Sequence, residues 1–184
     1  MSLFPMDDKL PLPRGFLSGW TLTMLLTGFL VALAMAPPFV SEPVRSVIMA
    51  ALSGVCHQIP ARSPHIDGVA LGVCHRCFGT YLGLPAAAVV YLSLRGFWPW
   101  TNKTAPWVLI FGVLPALIDW SGDLFGIWNN TPVSRLITGG ILGLTAGYFL
   151  VASIVDSFTT RHKKKKVSSN TRMEKNPTPA DENV

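Results

Sequence analysis

Residues 16–36 read FLSGWTLTMLLTGFLVALAMA, and this run decides the class of fold. It carries no charged side chain. At about 1.5 Å per residue, a helix of this length crosses roughly 30 Å of hydrocarbon. Lys9 and Arg14 precede it. Pro37 and Pro38 end it, because proline has no backbone N–H with which to continue a helix. A cleaved secretory signal is the competing reading. The run is longer than the apolar part of a typical signal, and no convincing small-x-small cleavage pattern leads from it into a soluble domain. It is therefore read as a retained span.

Three further apolar runs follow, at residues 78–94, 105–120 and 133–155. The pattern predicts an all-α integral membrane bundle of four transmembrane helices. Residues 44–55 are apolar but too short to cross, and are expected to form a re-entrant or interfacial helix. Composition agrees. Only 14% of the 184 residues are charged, against 49% hydrophobic, and mean hydropathy is +0.40. A soluble domain carries about 25% charged residues, and charge is what lipid excludes. The expected organisation is a tail over residues 1–15, a membrane domain over 16–156 with a Cys/His loop at 56–77, and a basic, disordered tail over 157–184.

The net charge is +5, and its placement sets the orientation. With four spans both termini share one side, which collects Lys9, Arg14, Arg95, Lys103, Arg161 and Lys163 to Lys166. The other side collects Arg45, Arg62, Arg76 and Arg135. The richer side is expected to be cytoplasmic. The Cys/His loop then faces outward from a multi-pass protein of the cell (inner) membrane. The expected partners are the bilayer and, at the basic tail, anionic lipid headgroups. Nucleic acid is not expected: no aromatic side chains interleave with the lysines to stack bases.

Chemistry concentrates in CHQIPARSP, residues 56–64, and CHRCFGTY, residues 74–81. All three cysteines lie in these two segments, and three of the four histidines lie between residues 56 and 81. Cys74 and Cys77, in a C-x2-C pair, reach one metal ion or each other. Cys56 returns to them if the proline-rich loop folds back. With His57, or with His65 or His75, this makes a three-cysteine, one-histidine donor set, a familiar zinc composition. The leading expectation is zinc or another thiophilic metal on Cys56, His57, Cys74 and Cys77. Two alternatives remain open. A dithiol at Cys74 and Cys77, near a helix start, can exchange disulfides and pass electrons to a quinone. A passive structural disulfide suits an oxidising compartment.

Arg62, His75, Arg76, Asp119, Asp123 and Arg135 are expected around those ligands, as supporting groups or as a small ligand pocket. Ionisable residues at membrane depth usually face the bundle interior with a partner. Asp119 closes the third span and Arg135 opens the fourth, so the two are expected to pair. Gly79 and Gly83, and Gly139, Gly143 and Gly147, form small-xxx-small stripes. They predict close packing of the second span on the fourth rather than a phosphate loop, since no strand precedes either series. No Ser/His/Asp triad, paired-carboxylate or HExxH pattern is present.

Taken together, Cys56-His57-Gln58 with Pro60 and Arg62-Ser63, Cys74-x-Arg76-Cys77 and Gly79-x-Tyr81-x-Gly83 resemble a family of small prokaryotic membrane proteins, domain of unknown function 2085. A second block, from Pro115 to Asp119, then Asn130 and Arg135-Leu136-Ile137-Thr138-Gly139, is similar to the same family. His75, Trp120 and Asp123 depart from its usual pattern. The resemblance implies a multi-span helical membrane protein and no particular reaction.

Overall fold

A computed structural model describes residues 15–94 and 105–175. The expectations for residues 1–14, for the turn at 95–104 and for residues 176–184 lie outside the described residues. Among the described residues there are five α-helices, two single-turn 3-10 helices (Pro37–Phe39 and Pro60–Arg62) and one small hairpin: α1 (Phe16–Met35), α2 (Glu42–Ser53), β1 (His65–Ile66), β2 (Val69–Ala70), α3 (His75–Leu94), α4 (Ala105–Leu124) and α5 (Pro132–Lys175). Among the described residues three helices are long and apolar enough to cross a membrane: α1, α4 over Trp107–Leu124, and α5 over Pro132–Arg161. α3 equals α1 and α4 in length but opens on His75 and Arg76. Large apolar side chains such as Leu25, Phe29, Phe111, Leu117 and Trp120 point outward and are exposed. Water tolerates few such patches; hydrocarbon suits them.

The inward surfaces are made of small residues. On α1 the buried positions are Phe16, Gly19, Thr23, Thr27 and Ala34, at helical spacing. Thr23 and Thr27 return their hydroxyls to the Gly19 and Thr23 carbonyls, at 2.9 and 2.8 Å, so burying them leaves no polar group unmet.

α3 and α5 pack along the two glycine stripes. A Cβ on Gly83 would lie 2.6 Å from the Gly140 carbonyl oxygen, and one on Gly147 would lie 2.8 Å from the Ala87 Cβ. Gly139 abuts the Arg76 carbonyl and Gly143 the Thr80 carbonyl. Residue numbers rise together along both helices, so the two run parallel. α4 returns between them in sequence and meets α5 where Gly112 abuts Thr145. α1 runs the opposite way to α3 and α5. Gly19 abuts Val155, the Trp20 indole donates to the Ala88 carbonyl at 2.8 Å, and Phe16 stacks on Tyr91. At its other end the Ala34 carbonyl accepts from the Gly72 N–H at 2.9 Å. One end of the bundle therefore gathers the end of α1, all of α2, the hairpin, the starts of α3 and α5 and the end of α4.

Several boundaries differ from the sequence reading. α3 begins three residues early, at His75, which places Cys77 in its first turn. α4 continues four residues past 120, to Leu124. α5 does not stop at 155 but runs to Lys175, so residues 157–175 are helical rather than a structureless tail. Lysine and arginine favour helix, and no proline or glycine interrupts before Pro177. The expected Cys/His loop at 56–77 contains the β1–β2 hairpin. Its turn is Asp67-Gly68, both at positive φ (50° and 79°), the usual chemistry of a two-residue hairpin loop.

The tightness of the α3–α5 contact is measurable. Gly143→Val is expected to destabilise the protein in detergent by about 2 kcal/mol or more, because a side chain there meets Thr80 backbone. Gly28→Ala, whose Cβ meets nothing within 4 Å, is expected to stay within about 0.5 kcal/mol of wild type. Thermal unfolding followed by tryptophan fluorescence compares the two.

Candidate metal centre

Three cysteines converge at the gathered end of the bundle. The Cys56, Cys74 and Cys77 sulfurs all lie within 4.8 Å of one another. Tetrahedral thiolates on one zinc ion stand about 3.8 Å apart, from a Zn–S distance of about 2.3 Å. A contraction of about 1 Å is enough to close them on an ion.

Each sulfur is placed by local structure. Cys56 follows the last turn of α2, its N–H donating to the Leu52 carbonyl at 3.0 Å. It is buried with Ala34, Leu52 and Val73. Cys74 immediately precedes α3, and the Phe78 N–H donates to its carbonyl at 2.8 Å. Cys77 lies three residues on, where a residue at the helix cap and one in the first turn face each other. That is why the C-x2-C spacing works here. The Cys74 N–H donates to Cys56 Sγ at 3.2 Å, which holds the two cysteines together across the loop. The Cys74 thiol is pushed down to about 5, chiefly because the Cys77 thiol donates to it. Hydrogen bonds from the Cys77 backbone, the Cys56 side chain and the Arg76 backbone assist, while burial opposes them.

Gln58 ties this loop together. Its Nε2 donates to the Met49 carbonyl at 2.8 Å and to the Gly72 carbonyl at 2.9 Å, joining α2 to the segment before Cys74. It does so from positive φ, 50°, a strained setting for a non-glycine residue. Sequence spacing gave no sign of this role beyond the place of Gln58 beside Cys56 and His57.

The histidines stand apart from the sulfurs. His57 is exposed and outside the cysteine group. With Cys56 turned inward, its neighbour in the chain turns out. His65 opens β1 and is exposed. His75 Nδ1 lies 2.7 Å from the Arg62 carbonyl, so its N–H there donates to that oxygen and pins the Arg62 loop to α3.

The expected pairing of Asp119 with Arg135 is not what the structure shows. Asp119, which is 8% exposed, accepts from Arg76 at 2.5 Å. Arg135 lies 3.8 Å from Asp123, which also lies 3.5 Å from Arg62. The extra turn of α4 explains the change. A span ending at 120 leaves Asp123 in a loop. A helix to Leu124 stacks Asp119 and Asp123 four residues apart on one face. Asp119 then meets the first turn of α3, and Asp123 reaches onward to the start of α5. The turn into α5 supports this. The Asn130 N–H donates to Asp123 Oδ1 at 3.4 Å. Thr131 and Ser134 cap α5 reciprocally, at 3.0 and 3.2 Å. The string Thr131-Pro132-Val133-Ser134 is a helix-start signal in the sequence, and the sequence reading did not use it. All six expected supporting residues do lie at the cysteine end: Arg62, His75, Arg76, Asp119, Asp123 and Arg135.

Residues 56–149 match the family model described as predicted membrane protein, DUF2085. The matched segment runs from Cys56 through the starts of α3 and α5 and covers about half of the chain. The chain belongs to this family. The DUF2085 segment contains all three cysteines and every Arg–Asp contact described above. A relative is the uncharacterized protein MJ1492 of Methanocaldococcus jannaschii, 33% identical over 106 residues. The match covers 56% of this chain and 66% of that protein's length. No solved structure matches the chain.

Two outcomes follow from this geometry. Arg76→Gln and Asp119→Asn are each expected to cost about 3 kcal/mol, since each leaves a buried charge unpaired. The double variant is expected to cost clearly less than their sum, and a double-mutant cycle on thermal unfolding measures the difference. In chelator-treated protein Cys74 is expected to alkylate readily at pH 6 and to slow only as pH falls through about 5, because its thiolate persists to that point. A thiol of ordinary pKa, about 8.5, would already have slowed about tenfold per unit below that. Iodoacetamide labelling followed by peptide mass spectrometry checks this.

Proposed function

We propose that this protein is a four-span membrane protein that holds zinc or another thiophilic ion on Cys56, Cys74 and Cys77 at one mouth of its bundle. The observation that carries this is the approach of three sulfurs, from Cys56 and from the distant Cys74/Cys77 pair, to within 4.8 Å. Nothing in local structure requires it: Cys56 is brought to the start of α3 by the whole of the intervening loop. Soft thiolate donors select zinc and similar ions over magnesium or calcium. In this reading α3 also crosses the membrane, as the second of four spans, shielded by α1 and α5, with its polar first turn at the interface. The cysteine mouth faces outward, because Arg161 and the lysines that follow it are at the opposite end of α5. Those residues meet anionic headgroups of the cell membrane.

His57 is the fourth ligand in this reading. It lies one residue from Cys56 on an exposed loop and turns inward when the ion binds. If water held the fourth position instead, the ion would remain open to a substrate. His57→Ala separates the two: with His57 as ligand, affinity falls, and with water in its place, affinity is unchanged.

A second reading is favoured by one observation, the lowered Cys74 thiol at the start of α3. In it the Cys74/Cys77 dithiol gives up two electrons and two protons as its disulfide forms, and a membrane quinone takes them to become quinol.

One sample decides between them. Elemental analysis and a free-thiol count on the same detergent-purified protein are expected to give close to one zinc per chain, lost in Cys56→Ser. Metal-free protein whose Cys74–Cys77 disulfide cycles with added quinone would transfer the assignment to the redox reading.

A further inference from the structure

Three arginines and two aspartates share the cysteine end of the bundle: Arg62, Arg76 and Arg135 against Asp119 and Asp123. Arg76 and Asp119 neutralise one another at 2.5 Å. Asp123 is left alone between two guanidinium groups, 3.5 Å from Arg62 and 3.8 Å from Arg135. Both separations exceed the roughly 2.7–2.9 Å of a charge-assisted hydrogen bond. Among the described residues neither guanidinium has any other side-chain partner.

Arg135 is the decisive member. Its side chain is 12% exposed and offers five N–H donors in a rigid fork. Its nitrogens are not sealed inside the protein, since among the described residues the sealed, unpartnered side-chain atoms are Arg76 Nε and Asn130 Oδ1, so a ligand can reach the fork. The helix ends add charge of the same sign. α3 and α5 are parallel, so both N-termini point at this end, and neither has an acidic residue in its first turn. Two convergent forks and two positive helix ends are suited to an oxyanion.

We propose that Arg62 and Arg135 bind a phosphate group, with Asp123 keeping the two guanidinium groups aligned when no ligand is present. Arg62 is half exposed on the loop and closes over the ligand, while Arg135 holds it from below. The phosphate belongs either to a phospholipid headgroup at the membrane surface or to a soluble phosphate compound. The proposal does not rest on the metal reading, since it needs none of the cysteines.

The test uses the full-length protein in detergent. Its unfolding midpoint is measured in inorganic phosphate against chloride at equal ionic strength. Retention of phosphatidylglycerol is measured by native mass spectrometry. Wild type is expected to be stabilised by phosphate, to retain the lipid, or both. Stabilisation without retained lipid assigns a soluble ligand, and retained lipid without stabilisation assigns a headgroup. Arg62→Gln and Arg135→Gln are each expected to weaken the effect about tenfold or more. Asp123→Asn is expected to tighten it about tenfold, by removing the competing carboxylate; loss of a merely structural ion pair would not tighten anything. If Arg135→Gln does not fold, Arg62→Gln on the exposed loop carries the test. No response to phosphate together with no retained lipid overturns the proposal. So does a response that survives both arginine substitutions unchanged.

Discussion

The contact between the backbones of α3 and α5 is what the rest of the molecule is built around. In hydrocarbon, helices gain little from hiding apolar surface, because lipid is as apolar as leucine. Association has to come from close van der Waals packing and from polar contacts. The glycine stripes supply the first: Gly139 and Gly143 lie against the Arg76 and Thr80 carbonyls, where no side chain would fit. Two stiff parallel helices in such contact cannot slide. Their starts are fixed at one height, and with them Cys77 and Arg76 on α3 and Arg135 on α5. The connection through α4 must then return its last turn to the same level.

The charges at that level are arranged by helix periodicity. Asp119 and Asp123 stand one turn apart on α4 and present two carboxylates to three arginines from α3, α5 and the Cys loop. Away from water a lone ionised group is expensive, so each carboxylate holds a cation in place. The ion pair at 2.5 Å between Arg76 and Asp119 joins two helices that otherwise touch little. The looser pair of contacts at Asp123 joins the Arg62 loop and the end of α4 to the start of α5. Asp123 therefore does two things: it anchors the Arg62 loop and it leaves two guanidinium groups facing the same space.

The sulfur cluster and the arginine cluster are neighbours with opposite chemistry. His75 connects them physically: it follows Cys74 in the chain, and its ring holds the Arg62 carbonyl. Gln58 braces the sulfur side, tying the end of α2 to the segment that precedes Cys74. The sulfur cluster and the Arg62–Arg135 pair thus share one loop. Movement of that loop on binding at either cluster would be felt at the other.

The sequence by itself determined the class of molecule and the residues that matter. Charge-free runs of about twenty residues have few fates other than a membrane, because buried charge is costly and apolar surface in water is too. The glycine spacing determined which two helices touch, since period-four small residues form a stripe on any α-helix. The C-x2-C pair was legible for the same local reason: a helix cap and the third residue beyond it always face each other. The tertiary structure alone decided the partners. Arg76, not Arg135, meets Asp119, because α4 continues one turn further than its apolar pattern, and a polar turn at a span's end can be helix or loop. His57 is turned away from Cys56's sulfur, because the buried contacts of Cys56 with Ala34, Leu52 and Val73 choose which of two adjacent side chains faces inward. The meeting of Cys56 with Cys74 and Cys77 was also beyond local reading. It depends on α1, α2 and the hairpin closing a loop, and closure of a loop is set by long-range packing rather than by spacing along the chain.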